Sequence, residues 1–246
     1  KNYGKADIFF SANVICHIPN IKKLSKNIKK VLNKDGYLIF EDPYLGDIVK
    51  KGSYDQIYDE HVFFFSIHSV RNIFKKIDMT LIDALPQTTH GGSMRYIIKN
   101  SLNAKTTKNL DILLKNETKL GITSLKGFTK LSNKIKKSKK NLLKILKNLK
   151  KNGKSVAGYA ATSKSTTILN YCKIGTDIID CIYDTTPEKI GKFSPGMHIP
   201  IIDYKNFQNN YPDVAYLFAW NHKEEITKKE SVFLNKGGKW FSHVQL

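Results

Sequence analysis

Arginine is nearly missing from this chain. Arg71 and Arg95 are the only two among 41 basic residues. Arginine makes the bidentate contacts that read bases and clamp phosphates, so its scarcity argues against a nucleic-acid partner. The formal net charge is nonetheless +20, with 21 acidic residues. The lysines travel with abundant Asn and Ile along the whole chain, which reads as compositional bias on solvated faces. A field that draws in an anionic small substrate is the other reading. Cysteine is also sparse. Cys16, Cys172 and Cys181 lie far apart or in apolar runs, with no C-x-x-C. That spacing gives no zinc site of the chain's own. An odd count without a secretory leader fits buried, inert thiols in a reducing cytoplasm. No run of about 18 apolar residues occurs, so the sequence indicates no membrane partner. The opening KNYGKADIFFSANV has neither a leader layout nor a methionine, and reads as the approach to a strand in a chain cut from a longer one.

What is present supports real cores: 246 residues, 41% of them apolar, enough for one large domain or two ordinary ones. Residues 6–16 form a short continuous apolar run, a buried strand. Ile21, Leu24, Ile28, Val31 and Leu32 have helical spacing, and Gly36 punctuates the stop. Tyr37 to Phe40 is the next strand. This strand–helix–strand unit predicts a parallel pair with a right-handed crossover. Ligands of such sheets bind beyond the carboxyl ends of the strands, where Asn13, His17, Glu41, Asp42 and Tyr44 stand. Ser66 to Ile77 reads as a helix capped by Ser66 or Ser69, and Met79 to Ala84 as a strand. His90-Gly91-Gly92-Ser93-Met94-Arg95 leads into a strand at Tyr96 to Ile98. Its glycines allow positive φ or close approach of a ligand; an ordinary turn is the alternative. An antiparallel strand is expected at the sheet edge.

Residues 104–151 are rich in Lys and Leu and poor in Gly and Pro, which predicts two helices, about 106–120 and 123–150. The α/β pattern restarts at Ser155 to Tyr159, with a small-residue turn, a helix over Thr166 to Lys173, and a strand over Ile178 to Tyr183 ending at Asp184. Further strands are expected at Val214 to Ala219 and Lys239 to Phe241. The turn is an incomplete dinucleotide fingerprint, with G-x-A-x-x-S in place of G-x-G-x-x-G. Asp184 stands where a ribose hydroxyl could be taken.

The chemistry concentrates in Ser53 to Phe65, SYDQIYDEHVFFF. Tyr58, Glu60 and His61 are a phenol, a carboxylate and an imidazole within four residues, a general acid/base set followed by phenylalanines that can desolvate it. An extended segment splits them between two faces, whereas a turn lets them converge. A solvated surface loop is the bland alternative.

NVICHIPN (13–20), EDPYLGDIVKKGSYDQIYDEHVFFFSIHSV (41–70), THGGSMRY (89–96), GYAATSKSTTILNY (158–171), PGMHIPI (195–201) and AWNHKEEI (219–226) together closely resemble the sugar C-methyltransferase family. These S-adenosylmethionine-dependent enzymes methylate a carbon of nucleotide-linked keto-deoxysugars. The resemblance implies an α/β fold: residues 1–102 as the C-terminal half of a methyltransferase Rossmann domain, 103–152 as a helical bridge, and 153–246 as a second Rossmann-like domain. It implies that the glycine-rich loop holding S-adenosylmethionine, and a cysteine-rich zinc domain, lie outside this chain. It makes His61 the proton-abstracting base. Tyr58 and Glu60 position or polarise the sugar, and His17 is a second active-site histidine. His90, Gly91, Arg95 and Lys164 fall to the substrate, and Asn13 to the cofactor. The family's G-Y-G-A-x-x-K-G reads G-Y-A-A-T-S-K-S at 158–165, so the second domain is expected to shape a nucleotide-sugar cleft rather than bind a dinucleotide. His68, His198 and His222 are expected to be structural or solvated. Two rivals remain: a non-catalytic nucleotide-binding Rossmann module, and the same fold and donor with another small keto acceptor.

Overall fold

The structure is a computed structural model and describes residues 4–245. It divides into two compact units, residues 1–51 with 59–131, and residues 52–58 with 132–246.

The first unit is built on a four-stranded sheet. β1 (Ala6–Ala12), α1 (Ile21–Val31) and β2 (Leu32–Pro43) form the expected parallel unit. The Asn20 side chain caps α1 by accepting the Lys23 N–H at 3.0 Å. The face of α1 carrying Ile28 is buried, with Ile21 and Leu24 packed beside it. After α2 (Leu45–Lys51) comes α3 (Ile67–Lys75), held by a reciprocal Ser66–Ser69 capping box. Then follow β3 (Thr80–Gln87), β4 (Ser93–Lys99) and α4 (Lys108–Leu120). The sheet order is β1-β2-β4-β3. The antiparallel strand, β4, is therefore not at the edge as expected; it is inserted between β2 and β3. The hairpin from β3 folds β4 inward, where Met94, Tyr96 and Ile98 fill the core beside Leu38 and Phe40. β1 is the opposite edge. Among the described residues it pairs with β2 alone, and Ile8 and Phe10 are 59% and 60% exposed.

The second unit is a five-stranded, wholly parallel sheet in the order β7-β6-β5-β8-β9. Its strands are β5 (Val156–Tyr159), β6 (Ile182–Asp184), β7 (Ile201–Asp203), β8 (Val214–Leu217) and β9 (Lys239–Phe241). The main helix between them is α6 (Ser163–Cys172). β5 is buried throughout, and a Cβ on its Gly158 would lie 2.6 Å from the Phe218 ring. β6 begins later than the apolar run suggested: Ile178 and Ile179 are buried in a turn, a role apolar residues fill as readily as a strand. The strand at Ile201 carries little sequence signal because Pro200 interrupts its apolar stretch.

The long helices are not a separate body. α4 buries Leu110 and Leu114 in the first core, and α5 (Leu125–Lys151) buries Leu142 and Leu146 in the second. Residues 52–58 also pack with the second unit, where Tyr54 enters the core and its hydroxyl lies 3.7 Å from the Cys172 sulfur.

Asp213 ties β5 to β8. It accepts from Lys154 Nζ at 2.9 Å, from the Ser155 N–H at 2.9 Å and from the Ser155 hydroxyl at 2.8 Å. These bonds, led by that of Lys154, pull its carboxyl down from 3.8 to about 2. A depressed folded-state value means stability that is present above the unfolded value and is lost as pH falls through the folded one. Between pH 3.8 and about 2, the acid unfolding limb is expected to be shallower in Asp213→Asn than in the wild type. Tryptophan fluorescence checks it, because Trp220 and Trp240 both lie in the second unit.

Candidate active site

At the carboxyl end of β1 the chain turns at Asn13, with φ of 56°, a conformation asparagine tolerates. Its N–H donates to the Glu41 carbonyl at 2.7 Å. Its side-chain Oδ1 is buried and has no hydrogen-bond partner among the described residues. The short helical turn Ile15–His17 follows. The Cys16 N–H donates to Asp42 Oδ2 at 3.1 Å. Asp42 is fully buried, and burial pushes its carboxyl up to about 6. Glu41 next to it accepts from Thr89 Oγ1 at 2.7 Å and from Arg95 Nη2 at 2.9 Å. Both strand-end carboxylates are thus engaged by the fold, and Arg95, assigned to substrate by the resemblance, holds Glu41.

His61 lies in an irregular loop beyond a turn at Asp59 and Glu60. Its ring centroid is 5.1 Å from that of His17. His17 Nδ1 is 2.6 Å from the Glu60 backbone carbonyl. A carbonyl only accepts, so Nδ1 carries the hydrogen and the Nε2 of a neutral His17 carries the lone pair. Glu60 therefore orients His17 through its backbone, while its side chain is exposed. Phe64 stacks edge-on to His61, at 5.7 Å, while Phe65 turns into the core against Phe40. Tyr58 belongs to the second unit, Glu60 and His61 to the first.

The H-G-G turn is a run of left-handed residues: His90, Gly91 and Gly92 have φ of 54°, 85° and 136°. A Cβ on Gly92 would lie 2.4 Å from Asp47 Oδ2, so glycine is required there for space as well as conformation. Lys51 Nζ donates to the Gly91 carbonyl. His90 is exposed. His68 pairs with the buried Glu117 at 2.6 Å, a structural role as expected.

In the second unit Lys164 stands in the first turn of α6. It donates to Asn221 Oδ1 at 2.7 Å, lies 4.9 Å from the centre of the Trp220 ring, and has its pKa lowered by burial. A cleft of about 300 Å³ opens near the carboxyl ends of β5 and β6, lined by Tyr159, Ala160, Tyr183, Asp184, His222 and Glu225 among others. Asp184, placed by the sequence where a ribose hydroxyl could be taken, accepts the Ala161 N–H at 2.7 Å and the Thr186 N–H at 2.8 Å and so braces its neighbouring loops. Ala160, where the related pattern has glycine, has φ of 72°. A left-handed alanine is strained, partly offset by the freedom glycine regains on unfolding. Ala160→Gly is expected to stabilise the second unit by about 0.5–1 kcal/mol, read as a higher urea midpoint in tryptophan fluorescence. An unchanged midpoint would mean that the strain is absorbed by the loop.

Some of this constellation carried no short-range signal. The Cys16 thiol joins the two histidines: its sulfur and one nitrogen of each ring all lie within 4.8 Å of one another. Asp55 is 1% exposed in the second unit; it accepts from Trp220 Nε1 at 2.5 Å and lies 3.2 Å from His243 Nε2. The other ring nitrogen of His243 is 2.9 Å from the Tyr216 hydroxyl.

Comparison with known proteins identifies the family. A methyltransferase domain profile matches residues 1–84, and the profile of the C-methyltransferase C-terminal domain matches residues 88–244. The chain is 28% identical over 239 residues to C-methyltransferase NovU of Streptomyces niveus, covering 97% of this chain and 57% of that protein. Among solved structures, N-methyltransferase NodS of Bradyrhizobium japonicum with S-adenosyl-L-homocysteine is 16% identical, covers 41% of this chain and 48% of its own, and superposes with a TM-score of 0.30. StiE O-MT is 12% identical, covers 47% of this chain and 51% of its own, with a TM-score of 0.33. Superpositions of that quality carry no argument. The profile match alone takes in more than half of the residues, and the chain belongs to the C-methyltransferase family.

Proposed function

We propose that this chain carries the proton-abstracting part of an S-adenosylmethionine-dependent C-methyltransferase, acting on a carbon next to the ketone of a nucleotide-linked deoxysugar. The observation that carries the reading is the His17–His61 pair at the carboxyl end of β1, with the His17 tautomer set by the Glu60 carbonyl.

A carbon beside a ketone gives up a proton when a base is positioned and the developing enolate oxygen is stabilised. Neutral His61 is that base, with the Phe64 edge keeping water from its ring. His17, with the hydrogen fixed on Nδ1 by the Glu60 carbonyl, presents Nε2 as the atom suited to hold a sugar hydroxyl. Tyr58 and the Glu60 carboxylate keep the sugar-orienting roles that the resemblance gives them. S-adenosylmethionine supplies an electrophilic methyl on a sulfonium. The residues fit that cofactor at one point: the orphaned Asn13 Oδ1 is a buried acceptor for an N–H donor. When bound, the cofactor would supply that methyl to the carbon from which His61 takes the proton.

The test is methyl transfer. Because the chain spans 57% of its curated relative, it is run on a protein completed upstream. That protein is incubated with S-adenosylmethionine and a thymidine-diphosphate 4-keto-6-deoxysugar, and the sugar nucleotide is followed by mass spectrometry. A gain of one methyl group is expected. No gain, from a folded protein with cofactor bound, moves the acceptor to another keto compound.

A further inference from the structure

We infer that Cys16, His17 and His61 form a three-ligand site for a divalent cation of zinc's class, and that filling it shuts off the proton chemistry of His61. The second half rests on the base reading of His61; the first does not.

The donor set selects the ion. Two imidazoles and a thiol, with no carboxylate among them, suit zinc, cobalt or cadmium and not magnesium or calcium. The three donor atoms already lie within 4.8 Å of one another. Tetrahedral zinc, with bonds of about 2.0–2.3 Å, sets its ligand atoms about 3.5 Å apart. The closure needed is therefore about 1 Å, and His61 sits on irregular loop backbone that can supply it.

His17 is held as a metal ligand is, while burial and the Asp42 carboxylate favour the Cys16 thiol proton that the metal has to displace. A metal-binding histidine commonly donates its second ring N–H to a carbonyl or carboxylate, which fixes the tautomer. His17 does so to the Glu60 carbonyl at 2.6 Å, leaving Nε2 as the donor atom. The backbone of Cys16 is anchored by its N–H bond to Asp42. Three protein ligands leave a fourth position open to water or a small ligand, unlike a closed four-ligand structural site. On binding, the Cys16 S–H bond breaks, its proton leaves to solvent and the sulfur pair bonds the cation, with no change of oxidation state. The lone pair that His61 would use on carbon is then held by the metal. The spacing rule finds no such site because His61 is far along the chain from Cys16 and His17.

Cobalt(II), added anaerobically to the full chain, is the probe. One equivalent is expected to give tetrahedral d–d bands and a thiolate charge-transfer band. Cys16→Ser removes the charge-transfer band, His17→Gln weakens binding at least tenfold, and Cys172→Ser changes neither. X-ray absorption of the zinc-loaded wild type needs no variant: one sulfur at about 2.3 Å with nitrogens at about 2.0–2.1 Å is expected, and a first shell without sulfur overturns the site. In the completed protein, zinc should lower methyl transfer at least tenfold and a chelator should restore it, with Cys16→Ser losing that sensitivity relative to its own metal-free rate. Metal bound through sulfur with methyl transfer unchanged overturns the shut-off. His61→Ala that still transfers methyl groups at full rate overturns the base reading alone.

Discussion

His61→Ala lowers the methyl-transfer rate of the completed protein by about 10²–10⁴-fold, the usual worth of a positioned general base. Sugar-nucleotide binding changes little, because the variant removes one ring on a loop and leaves the sheet and the Glu41–Arg95 and Cys16–Asp42 contacts in place. The same ring should govern a partial reaction. In deuterated water without methyl donor, the wild type exchanges the proton next to the ketone and His61→Ala does not. Mass spectrometry of the recovered sugar reads both experiments. Wild-type exchange surviving in the variant would hand the base role to another group and leave His61 as a binding residue.

Asp55→Ala is the second large effect, and it acts on stability. Asp55 and His243 are 1% and 3% exposed, with Asp55 Oδ1 3.2 Å from His243 Nε2 and Trp220 Nε1 donating to the other carboxylate oxygen. Deleting the carboxylate leaves the buried indole N–H without its acceptor. A buried polar group left unsatisfied costs about 1–3 kcal/mol. For a unit of this size that is a fall of about 5–10 °C in the unfolding midpoint, reported by tryptophan fluorescence since both tryptophans are in this unit. Asp55→Asn, which keeps an acceptor for Trp220, should lose less than half as much. A midpoint within 2 °C of wild type in Asp55→Ala would mean that water enters and replaces the carboxylate.

The local parts of the fold were legible in the sequence because local physics sets them. The apolar spacing of α1, the Ser66 cap of α3 and the stripe on α5 each depend on residues within a few turns. The insertion of β4 between β2 and β3 was not legible, because either edge would satisfy the same alternation of side chains. Nor was the transfer of residues 52–58 to the second unit, which depends on Asp55 meeting Trp220 and His243 from the far end of the chain. The site divides in the same way. Tyr58, Glu60 and His61 are close in sequence, so a general acid/base set could be proposed there from residue types alone. That Glu60 works through its carbonyl on His17, that Phe64 rather than Phe65 faces His61, and that Cys16 joins the histidines are all consequences of long-range closure. The Arg95 assignment came from its motif, and the Glu41 carboxylate that binds it lies on a strand more than fifty residues earlier.

The H-G-G turn bears on which positions of the first unit can vary. His90, Gly91 and Gly92 all have positive φ, and a Cβ at position 92 would meet Asp47 at 2.4 Å. A side chain at Gly92 therefore meets two obstacles at once, backbone strain and lack of space, so this short turn tolerates replacement far less than an ordinary exposed loop does.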